Sequence, residues 1–299
     1  MKRGILVYNP AAGASVSAAR MHAVAARAAA AGVALTECPT SSPGDATRIV
    51  AESLASAPDL VVVAGGDGTI AEAAAALIGS NVPLAMLPYG TANVLAREYG
   101  AGADPVRAER VIASRRTRPL TAWRTDRRPC FMWVGVGFDA RMIKGAHSVL
   151  KRTLGRFGIA WSGLAEFARY DFPSLVVEGT DERGASFSRE ATYAVAANIQ
   201  RYGGEMRIAP LADPADDVID LVLFTGRTHA ALAQFLLDIG TGALARGTTA
   251  NVSRVRARSV TMRAASASPE PVLIDGDLAG LTPISIGPVA GRVLIVVPQ

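Results

Sequence analysis

The stretch Leu60-Val61-Val62-Val63-Ala64-Gly65-Gly66-Asp67-Gly68-Thr69-Ile70 decides how the chain is read. A β-branched run closed by glycines predicts a buried parallel strand, and the Ala-rich segment after Thr69 predicts a helix. The polar turn then falls at the carboxyl end of a strand. In an open α/β sheet that edge presents backbone N–H groups and a helix N-terminus to anions. Gly65, Gly66 and Gly68 let a phosphate approach the main chain with no Cβ in the way, and Asp67 can hold a phosphate-bound cation. A tight Asp-Gly turn capped by Thr69 would need no ligand, but it needs one glycine, not three around an acid.

The same unit repeats on either side. Residues 4–8, 33–38 and 83–87 predict further strands, each followed by a polar loop and a helix: Asn9-Pro10-Ala11-Ala12-Gly13, then Thr40 before Ser42-Pro43-Gly44-Asp45, then Pro88-Tyr89-Gly90-Thr91-Ala92-Asn93. Helices are expected to end at Gly32, about Ala57 and Tyr99. Four strand–loop–helix units imply a parallel, doubly wound sheet with right-handed crossovers and all loops on one edge. After Arg115-Arg116-Thr117-Arg118 the pattern changes. Short apolar segments at 131–136, 175–177, 192–197, 219–224, 260–263 and 272–274 predict an antiparallel β-sandwich, interrupted by helices around 143–170 and 229–245. The expected architecture is therefore α/β plus β, with an α/β domain at 1–122 and a β-rich domain at 123–299. The closing run 293–297 is free to pair with either.

Composition narrows the class. With 299 residues and half of them hydrophobic, two cores can be buried. No apolar run is long enough to cross a bilayer, and Met1-Lys2-Arg3-Gly4-Ile5 leads straight into a strand, so a cytoplasmic location is expected. Cys38 and Cys130 form no disulfide or zinc pattern and read as buried hydrophobes. A net charge of +5 suits phosphates or an acidic membrane face. No nucleic-acid motif accompanies it.

Gly135-Val136-Gly137-Phe138-Asp139-Ala140 fits a dinucleotide fingerprint, but it lies where the chain has turned antiparallel and reads as a decoy. His22, His147 and His229 stand in unrelated contexts and read as packing or surface residues. Asp275-Gly276-Asp277 reads, from its residues alone, as a hairpin turn.

Taken in order, Asn-Pro-x-x-Gly, Gly-Gly-Asp-Gly-Thr, Pro88 to Asn93, Gly137-Phe138-Asp139-Ala140, Asn198 with Tyr202-Gly203-Gly204, Ala209-Pro210 with Asp216 and Asp220, and Asp275-Gly276 resemble the bacterial diacylglycerol kinase-like lipid kinases. The resemblance spans nearly the whole chain. It implies ATP- and Mg²⁺-dependent phosphorylation of a lipid hydroxyl, in a cleft between a nucleotide domain and a β-rich domain. It further implies nucleotide contacts at Asn9, Thr40, Gly66, Asp67, Gly68, Thr69 and Thr91, a catalytic role for Asp67, and a structural metal at Asp213, Asp216 and Val218. The family's base is a glutamate in Asp-Gly-Glu; its position here holds Asp277, shorter by a methylene but still able to accept a proton. Two family acids are absent, at Val94 and around Thr121-Ala122, and Asp126 is out of register. A chain that binds nucleotide or lipid without turnover is the alternative. An NAD kinase ranks lower, because no asparagine here precedes a glutamate. A transient anionic membrane surface is the expected partner, met at the inner face by Arg141, Lys144, Lys151, Arg152 and Arg156 interleaved with Met142, Ile143, Leu150, Leu154, Phe157 and Trp161. A water-facing basic helix on the sandwich explains the same pattern. A homodimer is allowed, and the identity of the lipid is not legible, since acyl pockets look like core.

Overall fold

The computed structural model describes residues 1–11, 16–114, 116–146, 163–246 and 249–298. Two compact units divide the chain: Met1–Ala122 with Gly203–Glu205 and Ala290–Gln299, and Trp123–Tyr202 with Met206–Val289.

The first unit runs β1 (Lys2–Tyr8), α1 (Ala18–Ala30), β2 (Val33–Pro39), α2 (Asp45–Ser53), β3 (Leu60–Gly65), α3 (Asp67–Ala76), β4 (Leu84–Pro88), α4 (Val94–Glu98), α5 (Pro105–Ala108) and β5 (Thr117–Thr125). Strands β2, β1, β3 and β4 lie side by side and parallel. Val61, Val62 and Val63 have no exposed surface, as a strand covered on both faces requires. Small Ala73 and Ala74 form the buried side of α3. The run at 293–297 completes this sheet: Ile295 pairs in parallel with Leu84. Register sets the functional edge, because Tyr8 is level with both Pro39 and Ala64, and Gly65 is level with Pro88. All four strands therefore end within about one residue of each other, and their loops leave together.

Two helix boundaries differ from expectation. Helix α3 opens at Asp67 with Gly66 as its cap residue, not after Thr69. Helix α2 stops at Ser53 and unwinds through Leu54–Ser56 to a left-handed Ala57.

The second unit holds β6 (Trp133–Val136), α6 (Phe138–Ala146), β7 (Leu175–Asp181), β8 (Ser186–Ala191), β9 (Tyr193–Ala197), β10 (Arg201–Tyr202), β11 (Met206–Arg207), β12 (Ile219–Phe224), β13 (Val252–Ala264), β14 (Pro271–Ile274), β15 (Asp277–Leu281) and the start of β16 (Ile284–Val296). A helix, His229–Thr241, follows β12. Its strand pairs are antiparallel. Long β13 pairs with β12 through residues 252–257 and with β7 through 257–264. That switch folds the sheet over, so Val134, Ile219 and Leu221 share one core with Val177, Val260 and Met262. Each such side chain contributes about 1.5–3 kcal/mol on burial.

Arg141, one of the basic residues expected to meet a membrane, is held by ion pairs within the second unit. Its guanidinium grips Glu270 at 2.7 and 2.6 Å and Asp171 at 2.6 Å, so it pins α6 to the sheet. Lys144 is exposed, and Lys151, Arg152 and Arg156 lie outside the described residues, as does His147. Among the described residues no helix is long and apolar enough to cross a membrane.

Candidate active site

Asn9, Thr40, Gly66 to Thr69 and Thr91 all leave the carboxyl edge of the first unit's sheet. The Asn9 amide donates to the Ala64 carbonyl at 3.2 Å and the Thr40 amide to Tyr8 at 2.9 Å, continuing the strand ladder into the loops. Asn9 Oδ1 accepts from the Ala11 amide at 2.9 Å, which folds its loop back. The first amides of an α-helix, here those of Gly68 and Thr69 among them, have no acceptor within the helix, and a helix N-terminus of this kind suits an anion.

The glycine loop and the Pro88 to Asn93 loop form one object. A Cβ on Gly90 would sit 2.4 Å from the Gly66 Cα and 2.9 Å from Asn93 Oδ1. Asn93, left-handed at φ 51°, accepts from the Gly90 amide and donates to its carbonyl, each at 2.8 Å. Asp67 crosses between the loops: its Oδ1 accepts from the Leu95 amide at 3.1 Å. Burial raises the Asp67 pKa, opposed by amides of Val94, Leu95 and Asn93. Asp67 thus caps α4 and fixes the spacing of the two loops, a role its sequence context did not reveal.

Among the described residues no three His, Cys, Asp or Glu side chains group to hold a metal. Val94 and Thr121, the positions at which the resemblance implies acids, carry no carboxylate and are buried at 1% and 0% exposure. Asp67 is the one carboxylate of the glycine loop, so it alone of that loop would offer a charged ligand to a divalent ion.

In the second unit Asp275-Gly276 is a two-residue hairpin turn between β14 and β15, with φ of 51° and 88° and Ile274 paired to Asp277. These are the angles of a type I′ turn, for which Asp-Gly is suited. The plain hairpin reading and the special role of the motif are compatible, because the two acids differ. Asp277 opens β15 with its side chain 57% exposed and Oδ2 3.9 Å from Arg128 Nη2. Asp275 is buried and accepts from the amides of Phe131 at 3.0 Å, Met132 at 2.7 Å and Trp133 at 3.2 Å. It ties the hairpin that carries Asp277 to the entry of β6. Buried Asn198 secures the same entry from the other side, accepting from Trp123 Nε1 at 2.9 Å and donating to the Phe131 carbonyl at 2.7 Å. Asp275→Asn keeps the left-handed backbone but loses the charge that three amides share. It is expected to lower stability by about 2 kcal/mol in urea unfolding, and Asp275→Ala by more.

The dinucleotide look-alike is a packing device. Strand β6 is antiparallel to β9 and β14, so no βαβ unit exists there. Gly135 leaves room for Asp139, whose Oδ2 would lie 2.1 Å from a Cβ, and Gly137 holds φ 115°. Asp139 is buried; its Oδ2 accepts from Tyr202 at 2.9 Å, and the Tyr202 and Tyr193 hydroxyls are 3.0 Å apart. Burial raises the Asp139 pKa from 3.8 to about 6, with the Tyr202 hydroxyl opposing. The folded state then holds the proton more tightly than the unfolded chain, so stability falls as pH rises from about 4 to about 6, by about 3 kcal/mol in all. Asp139→Asn should flatten that part of the profile of unfolding midpoint against pH; an unchanged slope would refute the assignment.

Asp213 and Asp216 share a turn: the Asp216 amide donates to the Asp213 carbonyl at 3.2 Å. Asp213 Oδ1 accepts from Ala215 at 3.0 Å and Asp216 Oδ1 from Val218 at 3.1 Å. Arg256 Nη2 donates to Asp216 Oδ2 at 2.6 Å.

Comparison with known proteins agrees with this layout. Residues 3–124 match the diacylglycerol kinase catalytic domain, and residues 132–298 match the YegS C-terminal NAD kinase beta sandwich-like domain. The diacylglycerol kinase of Mycobacterium tuberculosis (strain ATCC 25618 / H37Rv) is 29% identical over 299 residues, 97% of this chain and 94% of that one. A protein of Xanthomonas campestris pv. campestris (strain 8004), described as "Probable lipid kinase YegS-like", is 30% identical over 249 residues, covering 78% and 77% of the two. A solved chain from Bacillus anthracis str. Sterne, provisionally described as a diacylglycerol kinase, has the same fold: TM-score 0.79 at 22% identity, covering 100% of this chain and 96% of that one. A kinase catalytic domain followed by a β-sandwich-like domain is the class so defined. The chain belongs to the diacylglycerol kinase-like lipid kinase family.

Proposed function

We propose that the chain transfers the γ-phosphate of ATP to a lipid hydroxyl, of diacylglycerol or sphingoid type. The observation that carries this reading is the locked pair of loops, Gly66 against Gly90, at the strand edge where α3 begins. Backbone amides from Gly66 to Thr69 bind the terminal phosphates, with Asn9, Thr40 and Thr91 as further nucleotide contacts. Asp277 accepts the proton of the attacking alcohol and orients its oxygen. Asp275 keeps the Asp277 hairpin from shifting. A divalent ion bound with the nucleotide would neutralise charge that develops on the transferred group. Phosphoryl transfer asks little else of the protein, since alignment and electrostatics supply most of the rate.

A panel of lipid alcohols with labelled ATP tests the proposal. Labelled phospholipid is expected from at least one acceptor. Tight Mg-ATP binding with no product from any lipid would instead support the non-catalytic reading, which the buried Val94 and Thr121 favour.

We further infer transient docking on an anionic membrane. The positive net charge and exposed Lys144 support it. Reversing Lys144, Lys151, Arg152 and Arg156 is expected to abolish sedimentation with phosphatidylglycerol vesicles; unchanged sedimentation would sink the idea.

A further inference from the structure

Arg256 on β13 stands level with Asp220 on β12, and its guanidinium reaches carboxylates from three places in the second unit. Nη2 donates to Asp216 Oδ2 at 2.6 Å and Nη1 to Glu182 Oε2 at 2.9 Å, while Nε lies 3.8 Å from Asp220 Oδ2. Those last two atoms are buried without hydrogen-bond partners of their own and face each other as unlike charges.

This is the turn where the family resemblance implies a structural metal at Asp213, Asp216 and Val218, and the residues present do not fit one. A hard divalent ion takes about six oxygen ligands, among them at least one carboxylate oxygen free to bind it. Here one Asp216 oxygen accepts from the Val218 amide and the other from Arg256, and Asp213 accepts from Ala215. An ion placed on Asp216 would also stand close to a guanidinium of the same sign, whose planar fork already suits several carboxylates at once.

We infer that Arg256 takes the place of a divalent cation in this acidic turn, so that the second unit folds without bound metal. The inference does not depend on the kinase reading. The test is thermal unfolding and metal analysis of the full chain, treated with EDTA and then measured with and without MgCl₂, in the absence of nucleotide. Wild type is expected to retain no stoichiometric divalent ion and to keep its unfolding midpoint within about 1 °C on adding Mg²⁺. Arg256→Lys, which keeps the charge but loses the fork, is expected to lower the midpoint by about 4 °C. An ion retained by wild type, or a rise with Mg²⁺ that disappears in Asp216→Asn, would overturn the inference. So would an Arg256→Lys midpoint equal to wild type. A rise that survives Asp216→Asn belongs to another site and leaves Arg256 in its role.

Discussion

Asp277→Asn is expected to lower kcat by about 10²–10⁴-fold while leaving Mg-ATP affinity within about twofold of wild type. Asparagine has the shape of aspartate but cannot take a proton at neutral pH, so the substitution removes the base and little else. The fold has small stake in this side chain. It is 57% exposed, and its nearest charge, Arg128, is 3.9 Å away. Pairs this open are worth little to stability. A loss of kcat with a normal unfolding midpoint therefore reports chemistry. Full activity in Asp277→Asn would remove the proposed proton acceptor while leaving family membership untouched.

Gly90→Ala is expected to cost about 10²-fold in kcat/KM for ATP, through displacement of the phosphate loops by about 1 Å. The new methyl would meet the Gly66 backbone at 2.4 Å, and backbone cannot rotate aside as a side chain can. Relief on the other side is blocked by Asn93, whose amide group holds both polar atoms of residue 90. The loops must part, which strains the cap that Asp67 places on Leu95. Gly240→Ala is the control: a Cβ there meets nothing within 4 Å, and helical alanine is expected to be neutral or stabilising by about 0.5–1 kcal/mol. Equal binding by wild type and Gly90→Ala, in a calorimetric ATP titration, would show that the loop contact does not shape the site.

The first unit was legible because its signals are local. A β-branched run followed by glycines predicts strand and loop from neighbours alone, and parallel register then puts Asn9, Thr40, Gly66 and Thr91 on one edge. What the sequence hid is long-range. Nothing near Asp67 says that it will cap a helix 28 residues on, nor does anything near Asp275 show that it will collect amides from residues 131–133. Alternation gave the presence of strands in the second unit but understated β13 and β16, whose polar and glycine-containing middles blur the period of two. The ion pairs of Arg141 were hidden for a similar reason. Basic residues among apolar ones on a helix look the same whether they face lipid or reach inward, and Glu270, its partner, is 129 residues away. The metal position at Asp213, Asp216 and Val218 came from motif order, which cannot see Arg256 folding across from another strand.

The central claim is that the Gly66 to Thr69 edge binds nucleotide phosphates while Asp277 activates the acceptor alcohol. Parallel measurement of Mg-ATP binding and labelled phosphate transfer in wild type, Asp67→Asn and Asp277→Asn tests it most directly. Asp67→Asn is predicted to lose binding and transfer together, and Asp277→Asn to keep binding and lose transfer. Transfer at the wild-type rate in Asp277→Asn, or undiminished binding in Asp67→Asn, would contradict it.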